Sequence, residues 1–302
     1  MPKTAFLFPG QGAQSVGMGR QLYETVPPAR KLFDDAADIL GYSLIDVCRE
    51  GPAERLNATA ISQPAIFVTS LAALESSRAN QAEVEATCIA TAGLSLGEYT
   101  ALVFAGALSF ADGLRLVQKR GEAMQAAADA TPSGMVCVLG MDQEKVEDLC
   151  RAARSEGTIA VANLLGPQNI VVSGTMAACA ELERLAPQKG ALKTVRLAVA
   201  GAFHTDIMKP ADQMLAGVLS SIAMEPCEIP VWSNVDARPH TQPEDFRALL
   251  VRQVLQPVLW EQTMRNLLQE GVERFCEIGP GRVLAGLLKR IKRQVDCQNV
   301  SA

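Results

Sequence analysis

A serine flanked by two glycines constrains the fold of this chain more than any other feature. Residues 93–97 read Gly-Leu-Ser-Leu-Gly and follow an apolar run, Thr87–Ala92, that predicts a buried strand. Residues 98–106 are mostly helix-compatible and end at a glycine. A strand, a tight turn and a helix in this order are typical of a nucleophile elbow, where side chains on either side of Ser95 would collide. A plain strand-to-helix turn is the alternative.

The composition is that of a globular protein with enough apolar residues for a large core. Of 302 residues, 48% are hydrophobic and 20% are charged, and the formal net charge is −5. We therefore expect no nucleic-acid partner. The sequence contains no membrane-spanning run, and its first apolar segment is too short for a signal peptide. We expect a cytoplasmic protein without a membrane partner, or one from a plastid or other organelle if a transit peptide has been removed.

The eight cysteines are scattered singly, without a C-x-x-C pair or a regular spacing. This pattern makes a structural zinc site an unfavourable interpretation. Because most of these cysteines have apolar neighbours in the sequence, we expect reduced thiols in the core and a reducing compartment.

Strand-like and helical patterns alternate along the chain, which indicates an α/β protein. The strand-like runs of the larger part are Ala5–Phe8, 86–92, 229–234 and 273–278. Residues 134–197 follow the order β-α-β-β-α-β, which is the ferredoxin-like pattern. Its predicted strands are Met135–Leu139, Ile159–Ala162, Ile170–Ser173 and Leu192–Leu197. We therefore predict a large α/β domain with a parallel sheet core, residues 1–130 and 198–302, and an inserted small subdomain, residues 131–197.

A loop with two glycines, Pro9-Gly10-Gln11-Gly12, follows the first predicted strand. Its backbone N–H groups are accessible to an anion. It lacks the Lys-Ser/Thr of a P-loop and the G-x-G-x-x-G spacing of a dinucleotide site. The alternatives are a second oxyanion donor beside the elbow, a phosphate cradle, and a turn without chemistry, and we favour the first.

A nucleophilic serine needs a base, and the chain has only two histidines. His204 lies where the chain should return to the large domain, whereas His240 lies in a polar, proline-bounded stretch typical of a surface loop. We favour His204, with a hydrogen-bonded core histidine as the alternative. No acidic residue near it is a compelling third triad member. We predict a dyad of Ser95 and His204, with the imidazole oriented by a backbone or amide carbonyl.

Arg120 falls on the apolar face of a helix predicted from about Ala111 to Ala128. A guanidinium carried into a protein interior needs a carboxylate or phosphate partner, and its planar fork suits a carboxylate. That partner is either a substrate carboxylate or an internal Asp or Glu.

Several separated motifs together give the chain a resemblance to a known family. They are Phe8-Pro9-Gly10-Gln11-Gly12, residues 93–98 (Gly-Leu-Ser-Leu-Gly-Glu), Gln118-Lys119-Arg120-Gly121, Ala202-Phe203-His204, Ser233-Asn234-Val235, residues 253–260 and residues 277–281. In this order, over nearly the whole chain, they resemble the malonyl-CoA:acyl carrier protein transacylases of fatty-acid synthesis. The resemblance implies a hydrolase-like α/β domain with a ferredoxin-like insertion.

The resemblance also implies roles for single residues. Ser95 would be the acylated nucleophile, His204 its base and Arg120 the clamp on a malonyl carboxylate. Gln253 would orient His204 through its carbonyl.

The backbone N–H groups of Gln11 and Leu96 would form the oxyanion hole, again by resemblance. Phe203 resembles the aromatic residue that is thought to crowd an α-methyl group in malonyl-selective acyltransferases. Many members of the family have His at the position of Leu94, although a plastid-type subset has Leu. The second asparagine of the family's Asn-Phe-Asn region is Leu165 here, so its role cannot be carried over, and Asn163 is a candidate for lining the cleft.

The activity that the resemblance implies is a ping-pong transfer of malonyl from malonyl-CoA to the phosphopantetheine thiol of acyl carrier protein, through a malonyl-serine. It requires no metal or redox cofactor. The partners would be acyl carrier protein and a coenzyme A thioester, and we expect a monomer. A serine hydrolase or thioesterase on the same dyad is the alternative activity, and a non-catalytic binding protein is the alternative class.

An acidic carrier protein, as in this family, would dock on a local basic surface. One candidate is the cationic helix end formed by Lys289, Arg290, Lys292 and Arg293, for which dipole complementation is the alternative. The other candidates are Lys193, Arg196 and Lys209.

Overall fold

The structure, a computed structural model, describes residues 2–301. Its strands are β1 (Thr4–Phe8), β2 (Cys88–Gly93), β3 (Ser133–Leu139), β4 (Ile159–Gly166), β5 (Asn169–Thr175), β6 (Lys193–Arg196), β7 (Val231–Trp232), β8 (Pro239–His240), β9 (Arg274–Ile278) and β10 (Asp296–Val300). Its α-helices are α1 (Arg20–Thr25), α2 (Pro27–Leu40), α3 (Leu44–Glu50), α4 (Ala53–Asn57), α5 (Thr59–Glu85), α6 (Gly97–Phe104), α7 (Phe110–Ala130), α8 (Gln143–Ala153), α9 (Met176–Leu185), α10 (Lys209–Ser221), α11 (Pro243–Gln253), α12 (Trp260–Gln269) and α13 (Val283–Ile291).

The larger sheet has the strand order β10-β9-β1-β2-β7-β8, and only β8 runs antiparallel to its neighbour. Strand β1 is buried along its whole length because helices cover both faces of the sheet. Phe6 and Phe8 pack into the cluster formed with α2, α5, α7 and α10, whereas Ala5 and Leu7 pack against α12 and α13. Because β1 and β2 pair in parallel, with Phe8 opposite Gly93, their carboxyl ends lie at the same edge of this buried sheet.

The smaller sheet is antiparallel, with the order β4-β5-β3-β6. One face carries Val136, Val138 and Val172 into a core shared with α8 and α9. The opposite face sends Met135 and Val171 into the core of the larger part. The order of elements is therefore β-α-β-β-α-β, as predicted. The α/β class with a parallel core and a ferredoxin-like insertion is confirmed, whereas the domain boundaries at 130/131 and 197/198 stay a prediction.

Several predicted elements differ from the structure in their bounds. The strand predicted at Ile159–Ala162 continues to Gly166, because it keeps pairing with β5 and Leu164 N–H also donates to the Val258 carbonyl at 2.9 Å. The strands predicted at 192–197 and 229–234 shorten to β6 and β7. The predicted helix around Arg120 is present as α7.

The stretch around His240, predicted as a surface loop, does lie at the surface, but it contains a two-residue edge strand. His240 lies in β8, which pairs with β7, and its side chain is only 16% exposed. Its Nε2 lies 3.0 Å from Asp236 Oδ2 and its Nδ1 lies 3.3 Å from Asp245 Oδ2, so two carboxylates fix the orientation of the ring. Pro239 is tolerated because it starts an edge strand, where its missing N–H costs no ladder bond.

No helix of the described residues is long and apolar enough to cross a membrane. The cysteines are free, and five of them are buried, namely Cys48, Cys150, Cys179, Cys227 and Cys276. Burial raises the pKa of the Cys48 thiol to about 12, as expected of an unreactive core thiol. Within residues 2–301, no three His, Cys, Asp or Glu side chains group closely enough to hold a metal ion.

Candidate active site

The turn around Ser95 is built so tightly that only glycine fits at both flanks. Strand β2 ends at Gly93 and helix α6 begins at Gly97. A Cβ on Gly93 would lie 1.9 Å from the Gly97 carbonyl carbon, and a Cβ on Gly97 would lie 2.1 Å from the Phe8 carbonyl oxygen. Ser95 itself holds a left-handed conformation, with φ 51°. This is the geometry of a nucleophile elbow, which presents the serine at the end of its strand.

The loop after β1 lies directly against this elbow. A Cβ on Gly10 would approach the Leu94 carbonyl oxygen to 2.2 Å, and Leu94 N–H donates to the Phe8 carbonyl at 3.0 Å. Within the described residues, the backbone N–H groups of Gln11 and Leu96 donate to no protein acceptor. Two free amides next to a serine hydroxyl are suited to stabilising an oxyanion.

The imidazole of His204 is held between two oxygens. Its Nε2 lies 2.9 Å from Ser95 Oγ, and its Nδ1 lies 2.7 Å from the Gln253 carbonyl oxygen. A carbonyl only accepts, so Nδ1 carries the proton and the Nε2 lone pair faces the hydroxyl. Burial, and then the nearby Arg120 charge, lowers the pKa of His204 to about 4. The ring is therefore neutral, as a base must be, at neutral pH.

Arg120 is a buried cation, 1% exposed, on the inner face of α7. Its Nη1 donates to Gln63 Oε1 at 2.9 Å, and its Nη2 donates to Ser95 Oγ at 2.9 Å and to Gln253 Oε1 at 3.0 Å. Among the described residues, no carboxylate lies within 4 Å of its nitrogens. The internal Asp or Glu partner considered from the sequence is therefore not in contact. The Tyr99 ring supports the guanidinium, 5.1 Å from its centroid.

Ser95, His204 and Arg120 line a cavity of about 180 Å³, most of whose wall is apolar. Its lining residues are Gln11, Leu94, Ser95, Leu96, Arg120, Met124, Met135, Asn163, Leu165, Val171, Leu197, Val199, Phe203, His204, Val283 and Leu287. Every sequence-predicted site residue except Gln253 belongs to this wall. Gln253 lies behind it, fully buried, and reaches the site through its contacts with His204 and Arg120.

Comparison with known proteins gives the family. Residues 5–301 match the model of a family described as the acyl transferase domain. The chain belongs to this acyl transferase family. Among curated relatives, the acyltransferase is 44% identical to the malonyl CoA-acyl carrier protein transacylase of Bacillus subtilis, over 100% of this chain and 94% of the relative. It is 42% identical to the mitochondrial malonyl-CoA-acyl carrier protein transacylase of Mus musculus, over 96% of this chain and 79% of the relative.

Solved structures resemble the acyltransferase over almost its entire length. An acyl-carrier-protein-S-malonyltransferase from Bartonella henselae superposes with a TM-score of 0.95 at 38% identity, covering 99% of this chain and 95% of that one. A malonyl-transacylase in complex with a type II PKS acyl-carrier protein superposes with a TM-score of 0.93 at 36% identity, covering 99% and 96%.

Three residues that touch the site of this acyltransferase have no role predicted from the sequence. Asn234 Oδ1 accepts from Ser95 N–H at 2.6 Å, while its Nδ2 donates to the Gly93 carbonyl at 2.7 Å. Glu98 and Gln63 contact the side chains of Gln253 and Arg120 respectively. Asn234 and Glu98 lie within the motifs that carry the family resemblance, whereas Gln63 stands between Ser62 and Pro64, a context that gives no signal for a site residue.

Proposed function

We propose that this acyltransferase moves the malonyl group of malonyl-CoA to the phosphopantetheine thiol of an acyl carrier protein, through a malonyl ester on Ser95. The observation that carries the proposal is Arg120, a buried guanidinium that lies 2.9 Å from Ser95 Oγ and has no carboxylate in contact among residues 2–301. An acyl group that ends in a carboxylate would place a counter-charge in direct contact with the guanidinium. The names of the relatives agree with this substrate.

Acylation of Ser95 uses groups that already lie in place. His204 Nε2 takes the hydroxyl proton as Ser95 Oγ attacks the thioester carbonyl. The N–H groups of Gln11 and Leu96 hold the resulting oxyanion. When the carbon–sulfur bond breaks, the coenzyme A sulfur receives the proton from His204 and leaves as a thiol.

Transfer to the carrier protein reverses these steps. The phosphopantetheine thiol gives its proton to His204 and attacks the malonyl ester, and the returning proton restores the Ser95 hydroxyl. Gln253 keeps the imidazole oriented in both half-reactions through the bond to Nδ1. No metal or redox cofactor takes part in this scheme.

The cavity wall supports selection of a small acyl group that ends in a carboxylate. Phe203 is 5% exposed and would crowd a branch on the α-carbon, and Asn163 offers a polar side chain to the cleft. A serine hydrolase could use the same dyad, but it gives no reason for a buried cation beside the nucleophile. The relatives are transacylases, so the hydrolase alternative is not favoured.

Carrier-protein docking, a monomeric state and a cytoplasmic location are further parts of the proposal. Arg196 and Lys209 already face Glu183 and Asp206, whereas Lys289 and Arg290 lie exposed in the last turn of α13. Lys193 is exposed as well, but it is a single cation, whereas the α13 end presents two adjacent ones and is therefore the better docking candidate. Neutralising Lys289 and Arg290 should raise the KM for the carrier protein, and an unchanged KM would remove this surface from consideration.

The experiment that tests the function follows the acyl group by mass. The protein is mixed briefly with malonyl-CoA, its intact mass is measured, and the modified residue is mapped by peptide mass spectrometry. A phosphopantetheinylated carrier protein is then added. We expect a malonyl adduct on Ser95 that moves to the carrier, and no adduct in Ser95→Ala. An adduct that is lost only to water would favour the hydrolase, and a folded protein without any adduct would exclude the covalent mechanism.

A further inference from the structure

Glu98 is a buried carboxylate with no assigned part in the reaction. It lies in the first turn of α6, three residues after Ser95, and is 2% exposed. In the described part of the chain, no Lys, Arg or His nitrogen lies within 4 Å of its oxygens. Burying an unpaired carboxylate is costly, so its neighbours must compensate for the lost hydration.

Two N–H donors provide that compensation, and both belong to residues that contact the elbow. Glu98 Oε2 accepts from Gln253 Nε2 at 2.7 Å and from Asn234 N–H at 3.0 Å. Burial raises the pKa of Glu98 to about 7, while these donors act in the opposite direction. Both donors fit the ionised carboxylate, which only accepts.

The side-chain amide of Gln253 lies between this carboxylate and Arg120. Its Nε2 faces Glu98, and its Oε1 accepts from Arg120 Nη2 at 3.0 Å. The opposite orientation of the amide would place N–H donors against the guanidinium and an oxygen against the carboxylate. The two buried charges therefore fix which way the amide points, and the amide dipole is aligned with the field between them.

We infer that Glu98 is a positioning residue that acts through the Gln253 amide to balance the charge of Arg120 without occupying its guanidinium. Arg120 thereby stays buried and charged while its hydrogen-bond partners are neutral, so that among the described residues no carboxylate competes with a substrate carboxylate for its guanidinium. Gln253 also donates to the Ser95 carbonyl at 3.0 Å and holds His204 through its own carbonyl. Glu98 thus couples the carboxylate clamp to the dyad. This inference rests on the proposed function, because it assigns Arg120 to the malonyl carboxylate.

The test uses Glu98→Gln, which keeps the shape of the side chain but removes its charge. We expect the kcat/KM for malonyl-CoA, read as acylation of Ser95, to fall about 10- to 100-fold, the range of one charge-assisted hydrogen bond, mostly through a higher KM. Acylation by acetyl-CoA, which lacks the carboxylate, should fall much less. Glu98→Asp keeps the charge and should recover part of the loss. The matched control is Glu122→Gln, a carboxylate on α7 whose side chain is 40% exposed and pairs with Lys119, and it should behave as the wild type.

A second variant separates positioning from a loss of structure. If Glu98 acts through Arg120, Glu98→Gln should lower the kcat/KM for malonyl-CoA far less in the Arg120→Ala background than in the wild type. An equal loss for malonyl-CoA and acetyl-CoA, additive losses in the double variant, or no loss at all would overturn the inference. Labelling of Ser95 by a fluorophosphonate is measured in every variant. If the wild type is labelled but forms no malonyl ester, the proposed function fails, and the inference that rests on it falls as well.

Discussion

Ser95 and His204 both hold left-handed backbone conformations, with φ of 51° and 61°, and their side chains meet at 2.9 Å. Such conformations cost about 1–3 kcal/mol each for residues other than glycine, so surrounding contacts must enforce them. At Ser95 the enforcing contacts are Asn234, which accepts from its N–H, and Gln253, which donates to its carbonyl. The strain is thus located at Ser95 and His204, the two residues whose side chains must be oriented towards each other for proton transfer.

Asn234 is the first of these contacts to test. Asn234→Ala leaves the Ser95 N–H and the Gly93 carbonyl without their partner, so we expect a loss of about 2–4 kcal/mol in the free energy of unfolding. Fluorophosphonate labelling of Ser95 should slow by about 10-fold or more, because a 1.4 kcal/mol change already alters a rate tenfold. Urea denaturation and labelling rates measure the two effects. Asn80→Ala, at an exposed position, is the control. An unchanged labelling rate in Asn234→Ala would show that Asn234 does not enforce the conformation of Ser95.

Glycine substitutions test the tightness of the elbow. Gly93→Ala and Gly97→Ala each force a Cβ to about 2 Å from backbone atoms that cannot move independently, so we expect loss of Ser95 reactivity together with a lower Tm. Gly217→Ala is the matched control, since it lies exposed in α10 with no heavy atom near the new Cβ. It should raise stability by about 0.5–1 kcal/mol. An active, stable Gly93→Ala would be incompatible with the described turn.

Arg120→Ala tests the selectivity for a carboxylate. Removing one partner of a desolvated charge pair costs about 2–5 kcal/mol, so the kcat/KM for malonyl-CoA should fall at least about 30-fold more than that for acetyl-CoA. Rates of Ser95 acylation by both thioesters provide the comparison. Arg115→Ala, on the exposed face of the same helix, should leave the ratio unchanged. If Arg120→Ala lowers both rates equally, Arg120 acts on the Ser95 hydroxyl and does not bind the substrate carboxylate.

The pH dependence of acylation should reflect the buried environment of His204. Its pKa is lowered from 6.5 to about 4 by burial and then by Arg120, so the imidazole stays an unprotonated base well below pH 6.5. We expect the part of the rate that depends on His204 to decline only near pH 4. Burial raises the pKa of Glu98 to about 7, so we expect the acylation rate of the wild type to show a second change near pH 7. Glu98→Gln should remove this change. A step near pH 6.5 that persists in Glu98→Gln would contradict the neutral, buried imidazole.

His204 and Glu98 change the free energy of unfolding with pH in opposite directions. Unfolded His204 binds a proton between about pH 4 and 6.5 that the folded state does not, so its contribution is full above pH 6.5 and is lost as the pH falls towards 4. Folded Glu98 binds a proton between about pH 4.5 and 7 that the unfolded state does not, so its contribution is full below pH 4.5 and is lost as the pH rises through 7. Relative to the wild type, Glu98→Gln should therefore be less stable at pH 5 than at pH 8. Urea denaturation at both pH values measures this difference.

What the sequence could predict depended on local sterics and on periodicity. The elbow follows from glycines two residues either side of Ser95, and the burial of Arg120 follows from its place on the apolar face of α7. The partners of these residues could not be found that way. Asn234 contacts Ser95 across 139 positions and Gln253 contacts Glu98 across 155, and no single-sequence pattern connects such distant positions.

Strand β10 was also missed, for a different reason. Its sequence Asp-Cys-Gln-Asn-Val has no apolar alternation, because an edge strand is only half covered and its polar residues remain partly exposed. Parallel pairing with β9, and not its composition, makes it a strand.

The two sheets contribute unequally to the site. Met135, Asn163 and Val171 of the antiparallel sheet line the cavity, yet within residues 2–301 the side chains that hydrogen-bond to Ser95 Oγ, His204 and Arg120, lie outside that sheet. Side chains on the antiparallel sheet can therefore be exchanged, in evolution or by design, to change the size and polarity of the cavity. The groups that make Ser95 reactive lie in the other part of the molecule and stay as they are. In such a scaffold, a new substrate range does not require a new catalyst.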